Sequence, residues 1–270
     1  MKIAHAQPGF YHRATEALRT SQGNYITAKK CSPCLRVSSE AGGEKDSFRC
    51  PVLVLDACSP KVLVGALGVK AGSPEWISLV ESESGAVEQL FPAVESVLAN
   101  SELPLSAFGG LMVCEGPGNL LGLRTAALAA ETWRAAAINP GWQLWSYRSL
   151  ALLQYCVRVD FPDLLNVDVL LDWRRGHWFR CQLREGEWRE PDTLSAAEVK
   201  ADSEITVFHV RGRGNWPAPS VPAKPYGYQP DRLCEWLASG IAEVDPVAQF
   251  EVRGEPLKEY VRWSGEPHRR

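Results

Sequence analysis

Glu115-Gly116-Pro117-Gly118-Asn119-Leu120-Leu121-Gly122-Leu123-Arg124 joins an apolar run, Leu111-Met112-Val113-Cys114, to an alanine-rich helix predicted over residues 120–137. Strand, glycine turn and helix in that order make an α/β connection. Gly116 and Gly118 permit a tight turn and a close approach by other atoms. Free N–H groups at a helix start point outward and favour an anion. Two readings of the turn therefore stand. One is a phosphate or nucleotide contact through Gly116, Gly118 and Asn119. The other is a structural turn, with Asn119 near the cap and Gly122 allowing close helix packing. No Walker lysine follows, and the spacing is not GxGxxG.

Working outward, Val52-Leu53-Val54-Leu55 is a buried-strand run ending at Asp56, and residues 61–69 read as a second strand. Residues 76–80 supply a third, so a three-strand meander opens the fold. Val87, Leu90, Phe91, Val94, Val97 and Leu98 then recur at helical spacing, with Pro92 predicting a kink or a start nearby. After residues 120–137 come a short strand at 144–147 and a helix at 150–157. The order βββαβα with a further strand describes one α/β lobe, residues 51–153. Asp56 at its first strand end is either a turn former or, in an actin-like ATPase arrangement, a holder of metal-bound nucleotide.

Residues 154–270 read as a smaller lobe. Strands are predicted at 167–172, 178–183 and 205–210, the first two as a hairpin across Arg174-Arg175-Gly176. Pro217, Pro219, Pro222 and Pro225 mark a stiff loop. A last amphipathic helix is expected over 231–241, with Leu233, Trp236 and Leu237 inward. Residues 1–50 lack periodicity and are rich in Gly, Ser, Lys and Thr, so they read as a disordered or loosely attached extension.

Composition narrows the function. With 45% hydrophobic and 23% charged residues the chain is an ordinary globular protein, and no apolar run of about 18 residues predicts a membrane span. A secretory signal pattern is also missing, so a cytoplasmic location is expected. Residues 1–50 hold eight Lys/Arg against four Asp/Glu, a charge of +4; with a net charge of −3 the remaining chain carries −7, which disfavours a standalone nucleic-acid grip. The eight cysteines are irregularly spaced and fit reduced core thiols. Cys31 and Cys34 form a lone CxxC with no second ligand pair, so no metal is expected. His177 and His209 lie in separate elements, no GxSxG occurs, and no nucleophile–base pair is legible. Arg174 and Arg175 could meet phosphate or a partner carboxylate, or simply sit in a solvated turn. Most of the ten tryptophans fit core and interface packing.

Taken together, these stretches resemble the TsaB/YeaZ family, the glycoprotease-like relatives of TsaD. The likeness runs from about Pro51 to Trp263. Val52–Asp56 is similar to the family's opening strand, and Gln89–Val94 to its "LLPxI" helix. Gly116–Arg124 is similar to "GPGSFTGLR", the most specific piece. Ser146–Leu150 resembles "SSLEAL", and Asp172–Gly176 resembles "DARRGE". Pro256-Leu257 with Tyr260-Val261-Arg262 resembles a spaced-out "PLYLR" ending. Asn119, Leu120 and Leu121 stand where the family has Ser, Phe and Thr, and Ala57-Cys58 where it has Thr-Ser.

The resemblance implies an actin-like/Hsp70-like (ribonuclease H-like) ATPase fold, α/β, with two lobes, the second smaller and degenerate. It implies a non-catalytic scaffold or dimerization subunit without a cofactor of its own. Its partners would be a TsaD-like catalytic subunit and a TsaE-like ATPase, with tRNA reached only through the complex, which transfers a threonylcarbamoyl group to the adenosine beside the anticodon. Pairing with itself when the partner is absent is left open. The implied interface is built from two helices, roughly residues 87–100 and 122–137, and the residues singled out are Leu90, Val94, Ala126, Ala129, Ala130 and Trp133. Asp56, Gly116, Gly118 and Asn119 are the places for a vestigial nucleotide or anion contact. The competing expectations are an active actin-like-fold ATPase or kinase gripping nucleotide at Asp56 and Gly116–Gly118, and a peptidase.

Overall fold

The computed structural model describes residues 51–59, 61–83, 85–136, 138, 141–174, 176–212, 217–240, 242 and 244–246. All of these belong to the unit Ser32–Arg270. The predicted extension at 1–50, the Cys31/Cys34 pair, Arg175 and the 256–262 ending lie outside the described residues, and Arg174 is described by its backbone alone.

Strand β1 (Val52–Asp56) is buried along its whole length. A strand covered on both faces needs apolar residues at every position, which is why its sequence runs rather than alternates. β1 pairs antiparallel with β2 (Val62–Lys70), which pairs antiparallel with β3 (Ser73–Ser82). On the other side β1 runs parallel to β4 (Gly110–Cys114), and β4 parallel to β5 (Gln143–Tyr147). Helix α1 (Ala86–Ser101) precedes β4, α2 (Leu120–Ala135) joins β4 to β5, and α3 (Ser149–Asp160) follows β5. α1 continues across Pro92 without a break; the Ser96 hydroxyl donates to the Pro92 carbonyl.

The second sheet repeats this plan. Its central strand β6 (Val167–Arg174) pairs antiparallel with β7 (His177–Arg184), which carries β8 (Glu187–Trp188) and β9 (Asp192–Ser195). β6 runs parallel to β10 (Thr206–Val210), and β10 parallel to β11 (Lys224–Tyr226). Among the described residues no helix separates β9 from β10 or β10 from β11, so this lobe is the degenerate one. The predicted 231–241 helix is a 3-10 turn at Pro230–Arg232 followed by α4 (Leu233–Ala238), with Leu233 and Trp236 buried. β12 (Val244–Pro246) then pairs with β5, so α4 and β12 return to the first sheet.

Alternating side chains of β1 build two cores. Leu53, Leu55 and Ala57 face α1 and α2, whereas Val52, Val54 and Cys58 face α3 and α4. Helix α3 is shared: Leu152 and Cys156 pack on the first sheet, and Leu150, Leu153 and Val157 on the second. One helix buried on two faces couples the lobes mechanically.

Candidate functional site

The carboxyl ends of β1 and β4 face those of β6 and β10 across a cleft of about 240 Å³. In open α/β sheets, ligands bind outside the carboxyl ends of the parallel strands. Ser59, Pro117 and Asn119 line the cleft from the first lobe, and Asp172, Trp173 and Arg211 from the second.

Asp56 stands at the end of β1, yet only 1% of its surface is exposed. Its Oδ1 accepts from the Cys58 N–H at 3.0 Å, and its Oδ2 from the hydroxyls of Tyr147 (2.6 Å) and Tyr228 (2.7 Å). Burial, and then the Asp56 charge, push both phenols well above their ordinary range, so they remain donors at neutral pH. Tyr228 comes from the second lobe's last loop and closes over Asp56 from the cleft side.

The glycine turn is tied down in the same way. The Asn119 N–H donates to the Cys58 carbonyl at 2.5 Å, the Ser149 N–H to the Gly116 carbonyl, and the Ser149 hydroxyl to the Pro117 carbonyl. Gly116 has φ of +88°, a left-handed conformation that suits glycine. A Cβ on Gly118 would lie 2.1 Å from the Cys58 carbonyl oxygen, and one on Gly122 would lie 1.9 Å from that of Ala57. The turn thus clamps α2 onto the loop after β1. Gly122→Ala forces that backbone contact apart and should cost about 1–3 kcal/mol by overpacking, read from urea unfolding; an unchanged midpoint would contradict the clamp.

Asp172 lies two residues before the end of β6, the central strand of the second sheet, near the cleft as Asp56 is. Its Oδ1 accepts from His209 Nε2 at 2.8 Å and Trp178 Nε1 at 3.0 Å, and its Oδ2 from the Gly212 N–H at 2.8 Å. Burial works to raise its pKa, but the bonds from His209 and Gly212 outweigh this and hold the carboxyl below its ordinary range. A depressed carboxyl stabilises the fold above the unfolded-chain value near 4 and loses that contribution as pH falls through the folded value. Asp172→Asn should therefore cost about 1–3 kcal/mol at pH 7. Its deficit against the parent should shrink below about pH 4; a deficit independent of pH in urea titrations would refute the assignment.

The residues singled out for partner contact divide. Leu90, Val94, Ala126, Ala129 and Ala130 are buried against the chain's own first sheet, because small side chains on α2 let the helix lie close to the strands. Trp133 is partly buried and meets Phe91 edge to face, centroids 6.2 Å apart. The outward apolar residues are others: Val87 (56% exposed) and Phe91 (47%) on α1, Leu121 (60%) and Leu128 (70%) on α2. Sequence reasoning named none of these four as surface residues, although Val87 and Phe91 sit four apart on α1, and Leu121 and Leu128 seven apart on α2.

Two sheets of the same plan, each a meander beside parallel crossovers, face a common cleft. This is the actin-like ATPase fold.

Solved structures align with the chain. A crystal structure of an uncharacterized protein with similarity to peptidase YeaZ from Pseudomonas aeruginosa aligns over 76% of this chain and 100% of its own, at 18% identity and TM-score 0.50. YeaZ from Pseudomonas aeruginosa aligns over 64% and 84%, at 21% identity and TM-score 0.45. The Aquifex aeolicus member of the Ppx/GppA family aligns over 60% and 66%, at 13% identity and TM-score 0.32. No protein-family model matches the chain, and no curated protein matches it.

Among the described residues, no helix is long and apolar enough to cross a membrane. The donor atoms of Asp56, Cys58 and Cys114 lie within 4.8 Å of one another and could hold a metal ion. Cys58 and Cys114 are far apart in sequence and meet because β1 and β4 are parallel neighbours.

Proposed function

We propose that this chain is a TsaB-type subunit that contributes docking surface to a threonylcarbamoyl-transfer assembly, while a TsaD-like partner performs the chemistry. The observation that carries the reading is the outward apolar stripe Val87, Phe91, Leu121 and Leu128, four large side chains on two adjacent helices. Exposed apolar patches mark protein interaction sites; Val87 and Phe91 share one face of α1, and Leu121 and Leu128 one face of α2. The six-part resemblance around Gly116–Arg124 supplies the identity of the partner. Asp56 and Asp172, the two carboxylates at the cleft ends of the central strands, already accept hydrogen bonds from the chain's own donors. That accords with a cleft without turnover of its own.

On this reading the interface centres on the outward stripe, with Trp133 supporting Phe91 from beneath. Leu90, Val94, Ala126, Ala129 and Ala130 set the spacing of the two helices on their sheet. The Gly116–Asn119 turn keeps α2 in place and is not required to hold nucleotide. The experiment is reconstitution of threonylcarbamoyl transfer to tRNA with TsaD-like and TsaE-like proteins. Transfer should need this chain and be absent from it alone. Equal transfer without it, or transfer by the isolated chain, would defeat the proposal.

A further inference from the structure

We infer that Asp56, Cys58 and Cys114 form an inner-sphere site for a thiophilic divalent cation such as zinc, set behind the cleft floor. The argument begins with the strand ends. Cys58 follows Asp56 by two residues and shares its face of the first sheet; Cys114 ends the parallel neighbour β4 on that face. All three side chains are buried, and one donor atom from each lies within 4.8 Å of the other two. Zinc–sulfur bonds of about 2.3 Å and zinc–oxygen bonds of about 2.0 Å place tetrahedral ligands somewhat nearer than this upper bound. A modest contraction of the two sulfurs and the carboxylate would therefore seat the ion.

Two sulfur ligands also decide the class of metal. Magnesium bound with a nucleotide demands oxygen ligands and retains waters. A dithiolate with one carboxylate selects zinc and its softer relatives. The surroundings have the form of a second ligand shell. Asp56 Oδ1 accepts the Cys58 N–H, while Tyr147 and Tyr228 donate to Oδ2 and fix the carboxylate plane. The Tyr228 hydroxyl lies 3.9 Å from the Cys114 sulfur. Cys58 and Tyr228 both line the cleft, which provides the entry path. Binding exchanges two thiol protons for the ion, as any thiolate site must.

The test uses full-length protein carrying Cys31→Ser, Cys34→Ser and Cys50→Ser, so that those thiols cannot contribute. It is loaded with zinc or cobalt under reducing conditions and dialysed. The expected results are one equivalent of zinc by elemental analysis and a thiolate-to-cobalt charge-transfer band. Zinc should also slow alkylation of Cys58 and Cys114 selectively, as mapped by mass spectrometry. Cys58→Ala and Cys114→Ala should each abolish the cobalt band, and Tyr228→Phe should weaken zinc binding about 10–100-fold. The alkylation map needs no change at the site itself, so it decides the matter even where an alanine variant misfolds. Equal alkylation rates with and without zinc, or a cobalt band that survives both alanine changes, would overturn the proposal.

Discussion

Phe91→Asp combined with Leu128→Asp should abolish the complex with a TsaD-like partner while leaving this chain folded. Truncating a buried interface anchor costs about 2 kcal/mol or more. Two such losses, with a charge now facing an apolar partner, raise Kd by roughly a thousandfold or more. The isolated chain should hardly notice. Leu128 is 70% exposed, and surface substitutions usually stay within about 0.5 kcal/mol. Phe91 also gives up its edge-to-face pair with Trp133, worth about 1 kcal/mol. The contrast lies one step around the same helix. Leu90→Asp places a charge among Leu53, Val94 and Ala126 in the first core and should unfold the chain. Titration of the partner onto each folded variant, beside its thermal melt, separates the two effects. A double-aspartate protein that still binds at wild-type strength would remove the outward stripe from the interface.

Asp56→Ala should destabilise the chain by about 3–5 kcal/mol, among the largest losses any single substitution here can cause. It leaves the hydroxyls of Tyr147 and Tyr228 and the Cys58 N–H buried without an acceptor, and it opens a cavity beside them. Tyr228→Phe removes one charge-assisted bond and should cost about 1.5–3 kcal/mol. The sign is informative. Aspartates held for catalysis are often kept at the expense of stability, and their removal can stabilise the protein. A higher melting temperature for Asp56→Ala would mark the residue as a working site; a much lower one marks it as the tie between the first sheet and the loop carrying Tyr228.

The elements that position the cleft were legible because each has a strong local signature. β1 and β4 are buried on both faces, so they read as unbroken apolar runs, and the Gly116–Gly118 turn before an alanine-rich helix announces an α/β crossover. β8, β9, β11 and β12 were missed. Strands of two to four residues at sheet edges are too short to show a period. The orientation of α2 was also misjudged. Both of its faces are apolar, and its small residues suggested a partner helix; the sheet took the alanines and left Leu121 and Leu128 outside. On α1 the stripe Leu90–Val94 and the stripe Val87–Phe91 lie one step apart, and periodicity alone does not say which of them meets the sheet. The ring of donors around Asp56 draws on Cys58, Tyr147 and Tyr228, and no spacing rule connects residues separated by 172 positions.

The central claim is that the exposed face of α1 and α2 docks onto a second, catalytic protein. Native mass spectrometry of the full chain mixed with a TsaD-like protein at micromolar concentration tests it most directly. A stable one-to-one complex, lost with Phe91→Asp and Leu128→Asp, is the predicted result; two proteins that fly separately at that concentration would contradict it.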